Sequence, residues 1–303
     1  EWLLKRVKFE KPVTMLLSQL EGSVDSSSRR RAAEGLSSFK SDPDVVEALR
    51  KAAQKEQHYS VRAEAARTLG KITTRDALEA LLALSSVGHR RVRRAVVAAL
   101  GEFKDERVVQ PLLAALRGDE SPYVQCEAAL SYGKVGRPDA FSVLTASLGM
   151  PSPEYAIAEA CLEALGYVKG PRTREFLQGY LPYGKPTRAR VGALKAFTRL
   201  GWLSEEEMAL LKELLLKDKE YTVRAQVLET VNDLIDRRFL PTVKDAAEKD
   251  VDPRLRRRAM EVALRLSEAT SFEGMVSEVK DDVEKVKKES RELRERFSSM
   301  RLS

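Results

Sequence analysis

A nine-residue segment returns along this chain about every 32 residues, with the same residue types in the same places. One copy is Arg62-Ala63-Glu64-Ala65-Ala66-Arg67-Thr68-Leu69-Gly70; related segments begin at Arg29, Arg93, Gln125, Ala158, Arg190, Arg224 and Arg256. The steps between them run from 31 to 34 residues. Three places into the segment stands a small or branched apolar residue: Ala32, Ala65, Val96, Ala128, Cys161, Ala193, Val227 and Ala259. The next place holds Ala33, Ala66, Val97, Ala129, Leu162, Leu194, Leu228 and Met260. The seventh holds Leu36, Leu69, Leu100, Tyr132, Leu165, Phe197, Val231 and Ala263. Offsets of three, four and seven mark one face of a helix. Recurrence at this period means stacked units, each too small to bury its own apolar face. The spacing predicts an all-α, right-handed α-solenoid of about eight helical hairpins, and extended surfaces that bind.

Each unit reads as two antiparallel helices, the recurring segment being the second. The first carries a looser stripe, as in Val45-Val46-Leu49 and Val108-Val109-Leu112-Leu113-Leu116. Asp42-Pro43, Pro138-Asp139 and Ser204 before Glu205-Glu206-Glu207 are expected helix starts. Gly70, Gly101, Gly133, Gly166 and Gly201 fall where second helices end and are expected to be left-handed caps.

Three segments follow: 1–11 as an extended lead-in, 12–268 as the repeat array, and 269–303 as a long terminal helix. In the last, Phe272, Val276, Val279, Val283, Val286, Ser290, Leu293, Phe297 and Met300 alternate steps of four and three, a heptad seam. Val276, Val279, Val283, Val286, Leu293, Phe297 and Met300 could pair two copies of the chain; alternatively the helix folds back and covers the last repeat. The opening Glu1 suggests a piece of something longer.

Charged residues make up 33% of the chain and the net charge is +7, which is compatible with anionic partners without demanding them. No apolar run is long enough to span a membrane. The two cysteines, Cys126 and Cys161, lie on the apolar faces of repeat helices and read as reduced core residues of a cytoplasmic protein. No catalytic constellation stands out. The two histidines, His58 and His89, lie far apart and neither is followed by Glu, which excludes the paired zinc ligands of helix-borne metallopeptidases and the His-Glu pairs of iron-binding repeat hydroxylases. No metal, cofactor or catalytic residue is assigned within the chain.

Binding residues are sought among the positions that recur. The repeat Arg follows an acidic turn and can pair with the Asp of a neighbouring unit as an internal ladder. Surplus arginines share two further positions: Arg94 and Arg257 with Arg30, and Arg91 with Arg188 and Arg254. They could line one rail as a positive stripe for phosphate. Nucleic acid ranks below protein as the partner, since aromatic side chains are not interleaved with the basic ones. Tyr59, Tyr123, Tyr155 and Tyr221 recur just ahead of the repeat Arg; they pack over the turns or offer amphipathic contacts to a bound peptide.

The pattern V-R-x-x-A-A-x-x-L-G, in Val61-Arg62 to Leu69-Gly70 and Val92-Arg93 to Leu100-Gly101, resembles HEAT repeats of the short, phycobilisome-lyase-like type over roughly residues 12–266. A narrower stretch, Trp2-Leu3-Leu4-Lys5-Arg6-Val7-Lys8-Phe9-Glu10-Lys11-Pro12 with Met15 to Leu20 and Arg29 to Leu36, is similar to a junction in zinc aminopeptidases of the aminopeptidase N type. There a β-sandwich ends and a C-terminal helical-repeat domain begins. That resemblance implies a non-catalytic domain that gates access to an active site and contacts peptide. The zinc and the catalytic domain would belong to the parent enzyme, upstream of Glu1. The alternatives are a free-standing scaffold for protein-protein interaction, and a nucleic-acid-binding repeat protein similar to alkyl-base glycosylases. The glycosylase pocket is missing, since Trp202 sits in an inter-repeat turn and Trp2 in the lead-in.

Overall fold

A computed structural model describes residues 12–40, 42–84 and 88–268. The lead-in and the heptad seam lie outside the described residues. The chain is all-α: sixteen α-helices and no strand are found among the described residues. They pair into eight hairpins, and they divide into two compact units at Leu200–Gly201.

In the first unit the hairpins are α1 (Pro12–Gly22) with α2 (Ser26–Gly35), α3 (Pro43–Lys55) with α4 (Tyr59–Ile72), and α5 (Arg75–Leu82) with α6 (Arg90–Leu100). They continue with α7 (Val109–Gly118) and α8 (Pro122–Val135), α9 (Ala140–Ala146) and α10 (Ala156–Leu165), and α11 (Pro171–Gln178) and α12 (Thr187–Leu200). Each second helix packs against the second helices before and after it, from α2 through α12. The second unit holds α13 (Glu205–Lys217) with α14 (Tyr221–Leu234), and α15 (Leu240–Lys249) with α16 (253–268).

The recurring apolar positions form the core. All eight residues at the third offset and all eight at the seventh are buried. The fourth-offset series is buried except at Met260, which is 65% exposed on the last described helix, where no further described hairpin covers it. This is how a stacked array behaves: a unit's apolar face needs its neighbour.

The helix starts follow the sequence in two of three cases. Asp42 accepts from the Asp44 N–H with Pro43 at the first position, and Ser204 and Glu207 form a reciprocal capping box. Asp139 does not cap α9; its carboxylate accepts the Tyr132 hydroxyl at 2.9 Å.

The glycine expectation is corrected. Of the five expected caps only Gly201 has a positive φ, at 85°. Gly101 and Gly166 are helical, with φ of −64° and −60°. Their role, with Gly70 and Gly133, is close approach. A Cβ on Gly70 would lie 2.7 Å from the Ala99 Cβ, on Gly101 2.7 Å from the Ser131 side chain, on Gly133 2.6 Å from the Ala164 carbonyl oxygen, and on Gly166 2.8 Å from the Ala196 backbone. Four second helices, α4, α6, α8 and α10, therefore press a bare backbone at their ends against a small residue of the next. Non-glycine residues make two of the left-handed caps, Thr73 after α4 and Ile235 after α14.

The arginine ladder is present. Arg29 pairs with Glu56 at 2.9 Å, Arg93 with Asp119 at 2.8 Å, and Arg224 with Asp250 at 2.8 Å, each acid belonging to the following hairpin. The same arginines donate backward to carbonyls of their own turn: Ser23 and Val24, Gly88, and Asp218. The acids in turn accept backbone N–H groups of His58, Ser121 and Asp252. One side chain thus closes a turn and ties it to the next. Where Gln125 and Ala158 replace the arginine, the following turns are longer. In one of them Glu154 and Tyr155 adopt consecutive left-handed conformations, with φ of 47° and 61°.

Candidate functional site: a groove across the second helices

In the first unit the exposed sides of α2, α4, α6 and α8 enclose a groove of about 580 Å³. Its floor is alanine: Ala63, Ala95 and Ala98. Its walls carry Arg30, Arg67, Arg91 and Arg94, with Tyr59, Ser60 and Glu127. Helical spacing explains the set. Arg30, Ala63 and Arg94 occupy one position in three successive repeats, and Arg67 follows Ala63 by one turn.

The arginines are differently committed. Arg94 donates to Glu127 of α8 at 2.9 Å, and Arg67 to the buried Glu64 at 3.0 Å. Arg91 has no carboxylate partner among the described residues; it donates to the Tyr59 hydroxyl at 2.6 Å and lies 5.1 Å from the centre of that ring. Arg30, exposed on α2, has no hydrogen-bond or ion-pair partner among the described residues.

At the rim Tyr59 stacks with His58 at 5.0 Å and with His89 at 4.4 Å between ring centres. Both histidines are helix caps, Nδ1 accepting the N–H of Ser60 in one case and of Arg91 in the other. An acceptor Nδ1 requires the proton on Nε2. The cap and the stack together hold Tyr59 and Arg91 in place.

The structure brings Tyr59, Arg91 and Arg94 into one groove and leaves the remaining expected residues elsewhere. Tyr123 and Tyr155 are exposed, at 66% and 57%, on α8 and ahead of α10. Arg188 lies 3.5 Å from Glu154 and 3.7 Å from Glu159. In the second unit Arg254 pairs with Asp252 and lies 4.4 Å above the Tyr221 ring, while Arg257 pairs with Glu261 at 3.5 Å. Intramolecular carboxylates thus neutralise most of the expected positive stripe. Self-association through Val276 to Met300 lies outside the described residues. Arg30 and Arg67 complete the groove; the shared position of Arg30 signals it, and only the one-turn offset from Ala63 signals Arg67.

A second depression, of about 490 Å³, lies on the first-helix side between α9 and α11. Phe141, Phe176 and Tyr180 line it, with Phe141 and Phe176 edge to face at 5.5 Å and Arg172 4.4 Å from the Phe141 ring.

No group of three or more His, Cys, Asp or Glu side chains among the described residues is placed to hold a metal. No helix among them is long and apolar enough to cross a membrane. Burial pushes the Cys161 thiol up to about 12, and burial with the nearby Glu159 pushes Cys126 to about 11. At neutral pH the thiolate fraction of Cys126 is about one in ten thousand. Both thiols should resist iodoacetamide in the folded protein and react once it is unfolded in urea, as read by mass spectrometry. Prompt alkylation of native Cys161 would show that the α10 core opens.

The HEAT repeats family matches residues 13–90 and 81–165, together about half of the chain. A chain in the solved complex of CpcE and CpcF of phycocyanin lyase from Nostoc sp. PCC7120 is similar at 20% identity, covering 85% of this chain and 95% of that one, with a TM-score of 0.51. YibA of Escherichia coli is similar at 17% identity over 83% of this chain and 92% of its own, with a TM-score of 0.47. Human deoxyhypusine hydroxylase is similar at 19% identity over 78% and 99%, with a TM-score of 0.39. No curated protein matches the chain.

Proposed function

Because the chain belongs to the HEAT repeat family, we propose that it is a scaffold that binds another protein through the exposed side of its second helices. The observation that carries this reading is the groove over α2, α4, α6 and α8, where four arginines and Tyr59 converge over an alanine floor. Small floor residues let a partner's backbone approach, and arginine and tyrosine are the side chains that most often dominate binding energy at protein interfaces. The Nostoc relative, solved as a complex of two lyase proteins, supports a role of this kind.

A benzoylphenylalanine photo-crosslinker tests the reading. Placed at Arg67, in the groove, it should give a covalent adduct with a protein in the source cells. Placed at Glu175, beside the first-helix depression, it should give none. Adducts from Glu175 alone, or from neither position, would overturn the reading.

The narrower reading, a domain that gates an aminopeptidase N-like zinc peptidase, rests on the resemblance of residues 1–36. Residues 1–11 of that stretch lie outside the described residues, and neither the family match nor the structural relatives add support. It stands on whether an H-E-x-x-H motif is encoded upstream of Glu1.

A further inference from the structure

Within the scaffold reading, the chemistry of the groove selects a kind of partner. We infer that it takes an extended, acidic protein segment with two carboxylates about five or six residues apart, one on Arg30 and one on Arg91.

The inference starts from which donors are unused. A guanidinium carries five N–H donors in a fixed fork. Arg91 spends one Nη1 bond on Tyr59, which leaves the edge formed by Nε and Nη2 free for a bidentate carboxylate. The hydrogen bond to the Tyr59 hydroxyl and the ring contact hold that edge before any ligand arrives, so less side-chain entropy remains to be lost. Arg30 has its whole fork open among the described residues. Arg67 and Arg94 already hold Glu64 and Glu127 and serve as walls.

The spacing follows from the repeat. Arg30 lies on α2 and Arg91 on α6, two second helices apart. Packed helices stand about 8–10 Å apart, so the two forks are separated by roughly 16–20 Å. An extended chain rises about 3.3 Å per residue and crosses that distance in five or six residues. Between the two anchors it passes over Ala63 and Ala95, which present no bulk to it.

Carboxylates fit better than a polyphosphate. Glu127 lines the same groove, and a continuous phosphate backbone would meet its charge, whereas a peptide with two acids can place a neutral residue there. Stacking also speaks against single-stranded nucleic acid: His58, His89 and Arg91 already occupy the surroundings of the Tyr59 ring, so no open aromatic face is offered to a base.

The test uses the whole chain and fluorescein-labelled peptides, read by anisotropy. A peptide with two aspartates six residues apart should bind, and peptides with the same composition but adjacent aspartates should bind roughly tenfold more weakly. Arg30→Glu and Arg91→Glu should each weaken the spaced peptide by at least about tenfold. A peptide with lysine at one of the two acidic positions should recover binding to Arg30→Glu. That recovery separates direct pairing from misfolding of the variant. Equal binding of spaced and adjacent peptides, or no recovery with the lysine peptide, would overturn the inference. So would preferential binding of a labelled oligonucleotide that survives about 200 mM salt. The photo-crosslink from Arg67 reads partner binding whatever the partner's charge, so this inference can fail while the scaffold reading stands.

Discussion

Replacing Arg224 with methionine lowers the stability of the second unit by about 3–5 kcal/mol in urea unfolding. The size comes from burial. The side chains of Arg224 and Asp250 are each only 6% exposed, and they meet at 2.8 Å. Arg224 also donates to the Asp218 carbonyl at 2.8 Å. Methionine fills most of the volume but leaves the Asp250 carboxylate without its counter-charge in a poorly solvated place. Removing one member of a buried pair costs more than the pair contributes net, because an unpaired charge stays behind. The double variant Arg224→Met with Asp250→Asn should recover part of the loss: asparagine carries no charge and still accepts the Asp252 N–H, which Asp250 now receives at 2.8 Å. Arg75→Met is the comparison. Arg75 and Glu79 form a pair at 3.2 Å with side chains 80% and 53% exposed, and its loss should stay within about 0.5 kcal/mol. Equal effects at Arg224 and Arg75 would mean that the rung does not hold the last two hairpins together.

That ladder was legible in the sequence, because its two components are both periodic. An arginine recurs at the head of six of the eight second helices, and an acid recurs in most of the turns ahead of them. Opposite charges that recur with one period can pair from unit to unit along the stack. The core was legible for the same reason: a side chain at the third or seventh offset can only point at its own hairpin partner and its neighbour. Met260 shows the limit of that inference. Its position is a core position, yet it is exposed on the last described helix, because burial at the fourth offset is supplied by a following hairpin and none is described beyond α16.

The candidate groove was legible only in part, and the reason is pairing. Sequence position puts Arg91, Arg94, Arg188, Arg254 and Arg257 on equal terms as free cations. Which of them is already satisfied depends on where acids stand in the fold: Glu127 of the next second helix takes Arg94, and Asp252 of its own turn takes Arg254. These acids follow no strict period, so the uncommitted pair, Arg30 and Arg91, emerges only from the fold. Tyr59 differs from Tyr123 in the same way. Histidines that happen to cap α4 and α6 hold one ring, while the other stays exposed.

The glycines were not legible in this way, because a residue at a helix end satisfies two descriptions in sequence. A cap needs a left-handed backbone, and close packing needs the absence of a side chain; both select glycine near the end of a second helix. A pair of substitutions separates them. Gly133→Ala adds a carbon 2.6 Å from the Ala164 carbonyl oxygen and 3.0 Å from its Cβ. Carbon and oxygen come no closer than about 3.3 Å even in favourable contacts, so α8 and α10 must move apart. Overpacking of this kind costs about 1–3 kcal/mol, against a gain of up to about 1 kcal/mol from alanine's better helix propensity. The net effect at Gly133 should be destabilising. Gly118, the last residue of α7, has nothing within 4 Å of its added Cβ. There the propensity gain stands alone, and Gly118→Ala should raise stability by up to about 1 kcal/mol. The two variants make the same chemical change on neighbouring helices, and urea midpoints should move in opposite directions. If Gly133→Ala is neutral or stabilising, the second helices do not approach as closely as 2.6 Å implies. If Gly118→Ala destabilises, its glycine serves a backbone need rather than mere tolerance. Opposite shifts would establish that the spacing between α8 and α10 is set by a residue chosen for having no side chain.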